Sequence, residues 1–215
     1  MEHKSISLAD QVFERLETDI LSGKYKRGDV LTENILVTDL GVSRTPIREA
    51  LRRLSQEHII EITPKGILVL GVTNEDICDI MNIRLRIEGY ASARAAESIT
   101  EEQLSELREA LELQEYYLTK KDAEHIKSFD SAFHHCLFKF SGSSVIYDTL
   151  VPLHKKTQKY RKASVENNSR AGESVKEHRA IFEAIAAHDP VLAEKETIKH
   201  IENAKNHIMN RGETK

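Results

Sequence analysis

Apolar residues recur every three or four positions along most of the chain, and run together in only one short region. After Ser7, a good N-cap, Val12, Leu16, Ile20 and Leu21 fall on one helical face, and the pattern stops near Gly23. Thr32 can cap a second, short helix with Leu36 and Leu40 inward and Gly41 as its natural stop. Ser43 then opens a third helix, its hydroxyl expected to take an orphan backbone amide and Pro46 placed harmlessly in the first turn. Ile47, Ala50, Leu51 and Leu54 form its buried stripe. The runs Ile59-Ile60-Glu61-Ile62 and Ile67-Leu68-Val69-Leu70 flank Thr63-Pro64-Lys65-Gly66 and predict a small hairpin. Gly71-Val72-Thr73 is a short link.

Beyond the link the helical period hardly pauses. Asn74 caps a helix to about Ser98, Thr100 with Gln103 opens one to about Lys120, and Asp122 opens a third to Phe140. A fourth starts at Ser143 or Ser144 and can run to Val165, a fifth covers Glu173 to Ala187, and a sixth runs from Asp189-Pro190 to about Met209. The polar stretch Glu166 to Glu173 reads as a loop. Six helices with short connections predict an antiparallel bundle with its own core. The chain is therefore mainly α, with residues 1–71 forming a winged helix-turn-helix domain with a small β wing and residues 74–215 an all-α bundle.

Charge narrows the function. Of 215 residues, 31 are Lys or Arg and 35 Asp or Glu, a net charge of -4, so the chain is not a polycation that coats nucleic acid. Residues 1–71 hold ten basic against eleven acidic side chains, a net of -1, so any DNA contact must come from a local patch. Such a patch exists. Arg44, Arg48 and Arg52 lie four apart on a face away from the apolar stripe, and between Val42 and Arg53 four Arg stand against one Glu. Arginines on the first half of a short helix suit the DNA major groove, where a guanidinium can bond guanine in a bidentate manner. Two short helices joined by a tight Gly turn make a helix-turn-helix. Cys78 and Cys136 stand far apart without Cys-x-x-Cys spacing, which gives neither a disulfide framework nor a thiolate metal site. With no export-type N-terminus and no bilayer-length apolar run, the expectation is a soluble cytoplasmic protein without membrane partners.

Residues 8–70 resemble the winged helix-turn-helix of the GntR family of bacterial transcription regulators. The resemblance rests on Gly28-Asp29-Val30-Leu31, Glu33, Leu36, the run from Gly41 to Leu51, and Gly66. It implies that Arg44 and Arg48 read or clamp the major groove, with Arg52 on the same face, Thr45 on the backbone, and Lys65 with Gly66 at the wing tip near the minor groove. Two positions depart from the family pattern: Asn34, where a basic residue is common, and His58-Ile59, in place of a Gly-Leu pair.

The ten histidines suggest a second chemistry. Asp130 and His134 are four apart and share a helix face. His178 and His200 lie eleven residues either side of Asp189, so in a helical hairpin both stand roughly 16 Å from the turn and can converge. One carboxylate and three imidazoles suit Zn²⁺, Ni²⁺ or Mn²⁺ with positions left for a ligand oxygen. The region Asn74 to Asn210 resembles the FCD effector domain of the FadR-like GntR subfamily, through Arg84-Leu85-Arg86-Ile87-Glu88, Asp130-Ser131-Ala132-Phe133-His134, Glu177-His178 and His200-Ile201. That resemblance implies a divalent metal on Asp130, His134, His178 and His200, and Arg84 directed at an effector unless Glu88 pairs with it. The function expected is a regulator that binds a palindromic double-stranded operator as a homodimer and senses a metal-anchored organic acid or sugar acid. A regulator with a purely structural metal is the alternative, and a metal-dependent hydrolase a lesser one: no His-Glu-x-x-His, Gly-x-Ser-x-Gly or phosphate loop is present.

Overall fold

A computed structural model describes residues 7–157 and 168–212, which divide into two compact units at Thr73/Asn74. In the first unit, α1 (Leu8–Leu21) is capped by the Ser7 side chain, which accepts from the Asp10 amide at 3.1 Å. Then follow β1 (Val30–Leu31), α2 (Glu33–Leu40), α3 (Arg44–Gln56), β2 (Ile60–Thr63) and β3 (Gly66–Val69). Thr32 caps α2 through the Ile35 amide, and Gly41 ends it in the left-handed conformation at φ 67°. The helices enclose a core of Phe13, Leu16, Ile20, Leu36, Ile47, Leu51, Leu54 and Ile59.

Ser43 holds the N-cap position of α3, yet its hydroxyl makes no capping bond. The expected side-chain cap is absent, so the first-turn amides are left to water or to an incoming anion. The sheet also exceeds expectation: its order is β1-β3-β2, because Val30 and Leu31 pair with Leu68 and Ile67 on the outer edge of the hairpin. Two residues are too few to show a period of two, which is why this strand is invisible in the pattern. Its close approach explains Gly66. That residue has φ 133°, and a Cβ there would meet the Leu31 carbonyl oxygen at 2.6 Å.

The second unit contains α4 (Asn74–Ser98), α5 (Glu101–Lys120), α6 (Ala123–Phe140), α7 (Ser144–Lys156), α8 (Asn168–Ala186) and α9 (Pro190–Gly212). Thr100 and Gln103 form the full reciprocal capping box that opens α5, and Asp122 and Ser143 cap α6 and α7. The continuation of α7 towards Val165 lies outside the described residues. Helix α8 begins at Asn168 rather than Glu173, so six of the eight residues of the expected loop are helical. Ala171, Val175 and His178 are buried on one face and extend the helix inward.

Helix α4 packs against α6, α7, α8 and above all α9. Gly89 permits the closest approach, since a Cβ there would come within 2.9 Å of Ile198 Cγ1, and a buried Thr197 to Ser92 hydrogen bond of 2.8 Å locks the same pair. None of the helices in the described residues is long and apolar enough to cross a membrane.

Replacing Gly66 by Ala should destabilise the first unit by about 1–3 kcal/mol through the strained φ and the clash with Leu31. Urea unfolding followed by circular dichroism should show an earlier transition, and an unchanged curve would contradict this account of the wing.

Candidate functional site

In the first unit the arginine face of α3 is open. Arg44, Thr45, Arg48 and Arg52 are exposed, as is Lys65 at the wing tip beside Gly66. Two of the arginines are held from below by α2. Arg48 Nε donates to both oxygens of Glu33, at 2.9 and 3.0 Å, and Arg44 Nη2 donates to Asn34 Oδ1 at 3.0 Å. The Arg48 hydrogen bond holds the Glu33 carboxyl below the usual carboxylate range.

In the second unit His134 on α6, His178 on α8 and His200 on α9 converge, with exposures of 1%, 0% and 3%. His200 Nε2 lies 3.3 Å from His178 Nε2 and 3.3 Å from His134 Nε2. The Asp130 carboxylate is one turn before His134, its Oδ1 3.9 Å from His178 Nε2. It stands at the side of the histidine cluster.

The other nitrogen of each ring faces an oxygen. His178 Nδ1 is 2.8 Å from Gln114 Oε1, His200 Nδ1 is 2.7 Å from Glu177 Oε2, and His134 Nδ1 is 3.3 Å from Glu88 Oε2. A carboxylate only accepts, so the ring of His200 carries a proton on Nδ1, and the Gln114 carbonyl does the same for His178, whereas His134 Nδ1 lies near Glu88 without a hydrogen bond to it. Three Nε2 atoms then stand together. Burial lowers the pKa of His134 against the pull of Glu88, and it lowers that of His178 further still, with His200 and His134 adding to the effect. Both rings are neutral at pH 7.

That donor set fits a divalent ion. Ligand nitrogens about 2.0–2.1 Å from a metal stand about 3.3–3.4 Å apart in tetrahedral geometry, and the two measured separations are 3.3 Å. Phe133 stacks on His178 with ring centroids 4.5 Å apart and fixes its plane. The supporting carboxylates are themselves anchored. Arg170 makes two bonds of 2.9 Å to Glu177, and Asn203 adds one of 2.8 Å. Burial would raise the carboxyl of Glu177, but the His200 and Arg170 contacts hold it at about 2. Glu88 is likewise held at about 2, where burial is outweighed by Arg84 and His134.

Arg84 is buried and paired with Glu88, the alternative that the four-residue spacing allowed, and its Nη1 also approaches Met81 Sδ at 3.6 Å. Four polar residues of this centre are absent from the sequence-derived set: Glu88 as a support, Gln114, Glu177 and His154. His154 on α7 is 1% exposed, with its ring 4.6 Å from that of His134, and Glu88, His134 and His154 together offer ligand atoms within 4.8 Å of one another. Gln114 left one signal, as a polar residue continuing the buried stripe Leu104, Leu107 and Leu111.

Comparison with known proteins agrees with both halves. Residues 8–69 match the gntR family of bacterial regulatory proteins and residues 79–203 match the FCD domain. The chain is 33% identical over 141 residues to a gluconate operon transcriptional repressor of Bacillus licheniformis, a match covering 64% of this chain and 58% of that protein's length. It is 31% identical over 184 residues to an HTH-type transcriptional regulator in an unstable DNA locus of Streptomyces ambofaciens, covering 85% of this chain and 77% of the other. The solved structure of Escherichia coli McbR/YncC shares the fold with a TM-score of 0.83 and 24% identity, covering 97% of this chain and 100% of that one. With an arginine-bearing helix-turn-helix ahead of a histidine-centred bundle, and family matches over both, the chain belongs to the gntR family of bacterial regulatory proteins and carries an FCD domain.

Proposed function

We propose that this protein is a ligand-responsive transcription regulator that binds a pseudo-palindromic operator as a homodimer and senses a small carboxylic acid at a divalent metal in its C-terminal bundle. The observation that carries the sensing half is the convergence of three imidazole Nε2 atoms beside Asp130. His134, His178, His200 and Asp130 would hold the ion, Zn²⁺, Ni²⁺ or Mn²⁺ by donor type. When bound, the ion supplies a Lewis-acidic position for a carboxylate oxygen. Gln114 and Glu177 keep the rings of His178 and His200 in the tautomer and orientation that binding requires, and the Glu88 carboxylate lies 3.3 Å from His134 Nδ1. A relative named for repression of a gluconate operon supports a sugar acid as the effector class.

The DNA half assigns Arg44, Arg48 and Arg52 to the major groove, Thr45 to the backbone, and Lys65 with Gly66 to the neighbouring minor groove. One short helix reads few base pairs, so two copies are needed for useful specificity. Ile83 and Tyr90, seven residues apart on α4 and both exposed, offer apolar surface for such pairing. A second reading, a purely structural metal, is favoured by one contact: Arg84 is already engaged by Glu88, which leaves an acid without its expected partner.

Elemental analysis of the purified protein should find about one divalent ion per chain, and the His178→Ala, His200→Ala double variant should carry none; full retention of metal would reject the site. Glu177→Gln should keep the fold but weaken metal affinity about 10- to 100-fold in a chelator competition, because His200 loses its charged anchor. A thermal-shift screen of organic and sugar acids, with and without chelator, separates sensing from a structural role. Arg44→Ala and Arg48→Ala should each weaken specific operator binding by about 1–3 kcal/mol in titrations with labelled duplex. Unchanged binding in both would remove α3 from the interface.

A further inference from the structure

Two contacts tie the first turn of α2 to the exposed face of α3: Glu33 to Arg48 and Asn34 to Arg44. The acceptors sit on a firm ledge. Thr32 caps that turn through the Ile35 amide, and Leu36, one turn further, is fully buried in the core. The arginine side chains are the longer, more mobile partners, so the ledge determines where the guanidiniums point.

The two contacts differ in chemistry. Glu33 is a carboxylate that grips Arg48 at Nε as an exposed ion pair and so partly offsets its charge. Asn34 is neutral. It accepts one Nη2 hydrogen of Arg44, leaving that charge intact and four N–H donors unspent. A guanine edge is read by two parallel N–H groups from one side of the guanidinium fork, so the rotation of the plane decides which base can be met. The bond at Nη2 restricts that rotation. Arg44 is the first residue of α3, on the end of the helix that enters a groove first.

We infer that Asn34 is a specificity-determining residue of the DNA reader, a positioning residue that aims Arg44 at one base pair of each half-site while leaving the count of neutralised phosphates unchanged. The inference rests on the proposed reading of α3 as the recognition helix. It also gives the N-terminal unit, whose net charge is slightly negative, a means of favouring sequence over bulk electrostatic attraction.

The test is in vitro selection from a random duplex library by the full-length protein, followed by titration of the recovered site and its single-base variants across a salt series. Arg44→Ala should relax discrimination at one base pair of each half-site. Asn34→Ala should relax the same base pair, by about 10-fold, with an unchanged slope of affinity against salt and an unchanged thermal midpoint. Asn34→Asp, which keeps an acceptor in place, should restore the preference. Wild-type preference in Asn34→Ala at the pair that Arg44→Ala relaxes would overturn the inference and leave the recognition helix standing. Wild-type preference in Arg44→Ala at every position would overturn the recognition-helix reading and this inference with it.

Discussion

Three buried imidazoles with their Nε2 atoms turned towards one another are an arrangement that a protein core does not adopt by hydrophobic packing. His178 and His200 are each held that way by an acceptor behind the ring, Gln114 and a Glu177 carboxylate with partners of its own, and the Glu88 carboxylate lies 3.3 Å behind His134. Nε2 atoms 3.3 Å apart stand where a divalent ion would be met by three imidazole ligands. Every helix of the bundle among the described residues supplies a group to the centre: Glu88 from α4, Gln114 from α5, Asp130 and His134 from α6, His154 from α7, His178 and Glu177 from α8, and His200 from α9. An ion bound there would therefore be linked to the packing of these described helices, because an ion that binds the folded bundle and not its loosened forms stabilises the former.

Much of this was legible in the sequence, for reasons that differ by element. Caps and stripes announce helices directly, and Ser7, Thr32, Gly41, Thr100 and Asp122 all sit where their chemistry requires. The Asp130/His134 pair showed because four residues is one helical turn, and His178 with His200 because they lie at equal distance from Asp189. What the sequence concealed is pairing across the chain. Gln114 meets His178 over a separation of 64 residues, and no local spacing encodes that contact. The edge strand Val30–Leu31 is defined only by its partner β3, and the start of α8 only by the inner face it presents through Ala171 and Val175. Ser43 shows the converse: a residue of the right type at the N-cap position whose side chain makes no capping bond.

The DNA-facing unit obeys a different constraint. With a local charge near zero it cannot depend on phosphate attraction, so the direction in which its few guanidiniums point carries more weight than their number. Glu33 and Asn34 act on that direction from a neighbouring helix. In the bundle, second-rank groups such as Glu177 and Glu88 do the same for the histidines. In both units the residues that touch a ligand are aimed by residues that do not, and such helpers are the ones a motif leaves unnamed.

X-ray absorption at the metal edge of the zinc-loaded full-length protein tests the central claim most directly. The account predicts three imidazole nitrogens at about 2.0–2.1 Å, with oxygen completing the sphere. An ion surrounded by oxygen alone, with no imidazole scattering, would contradict it.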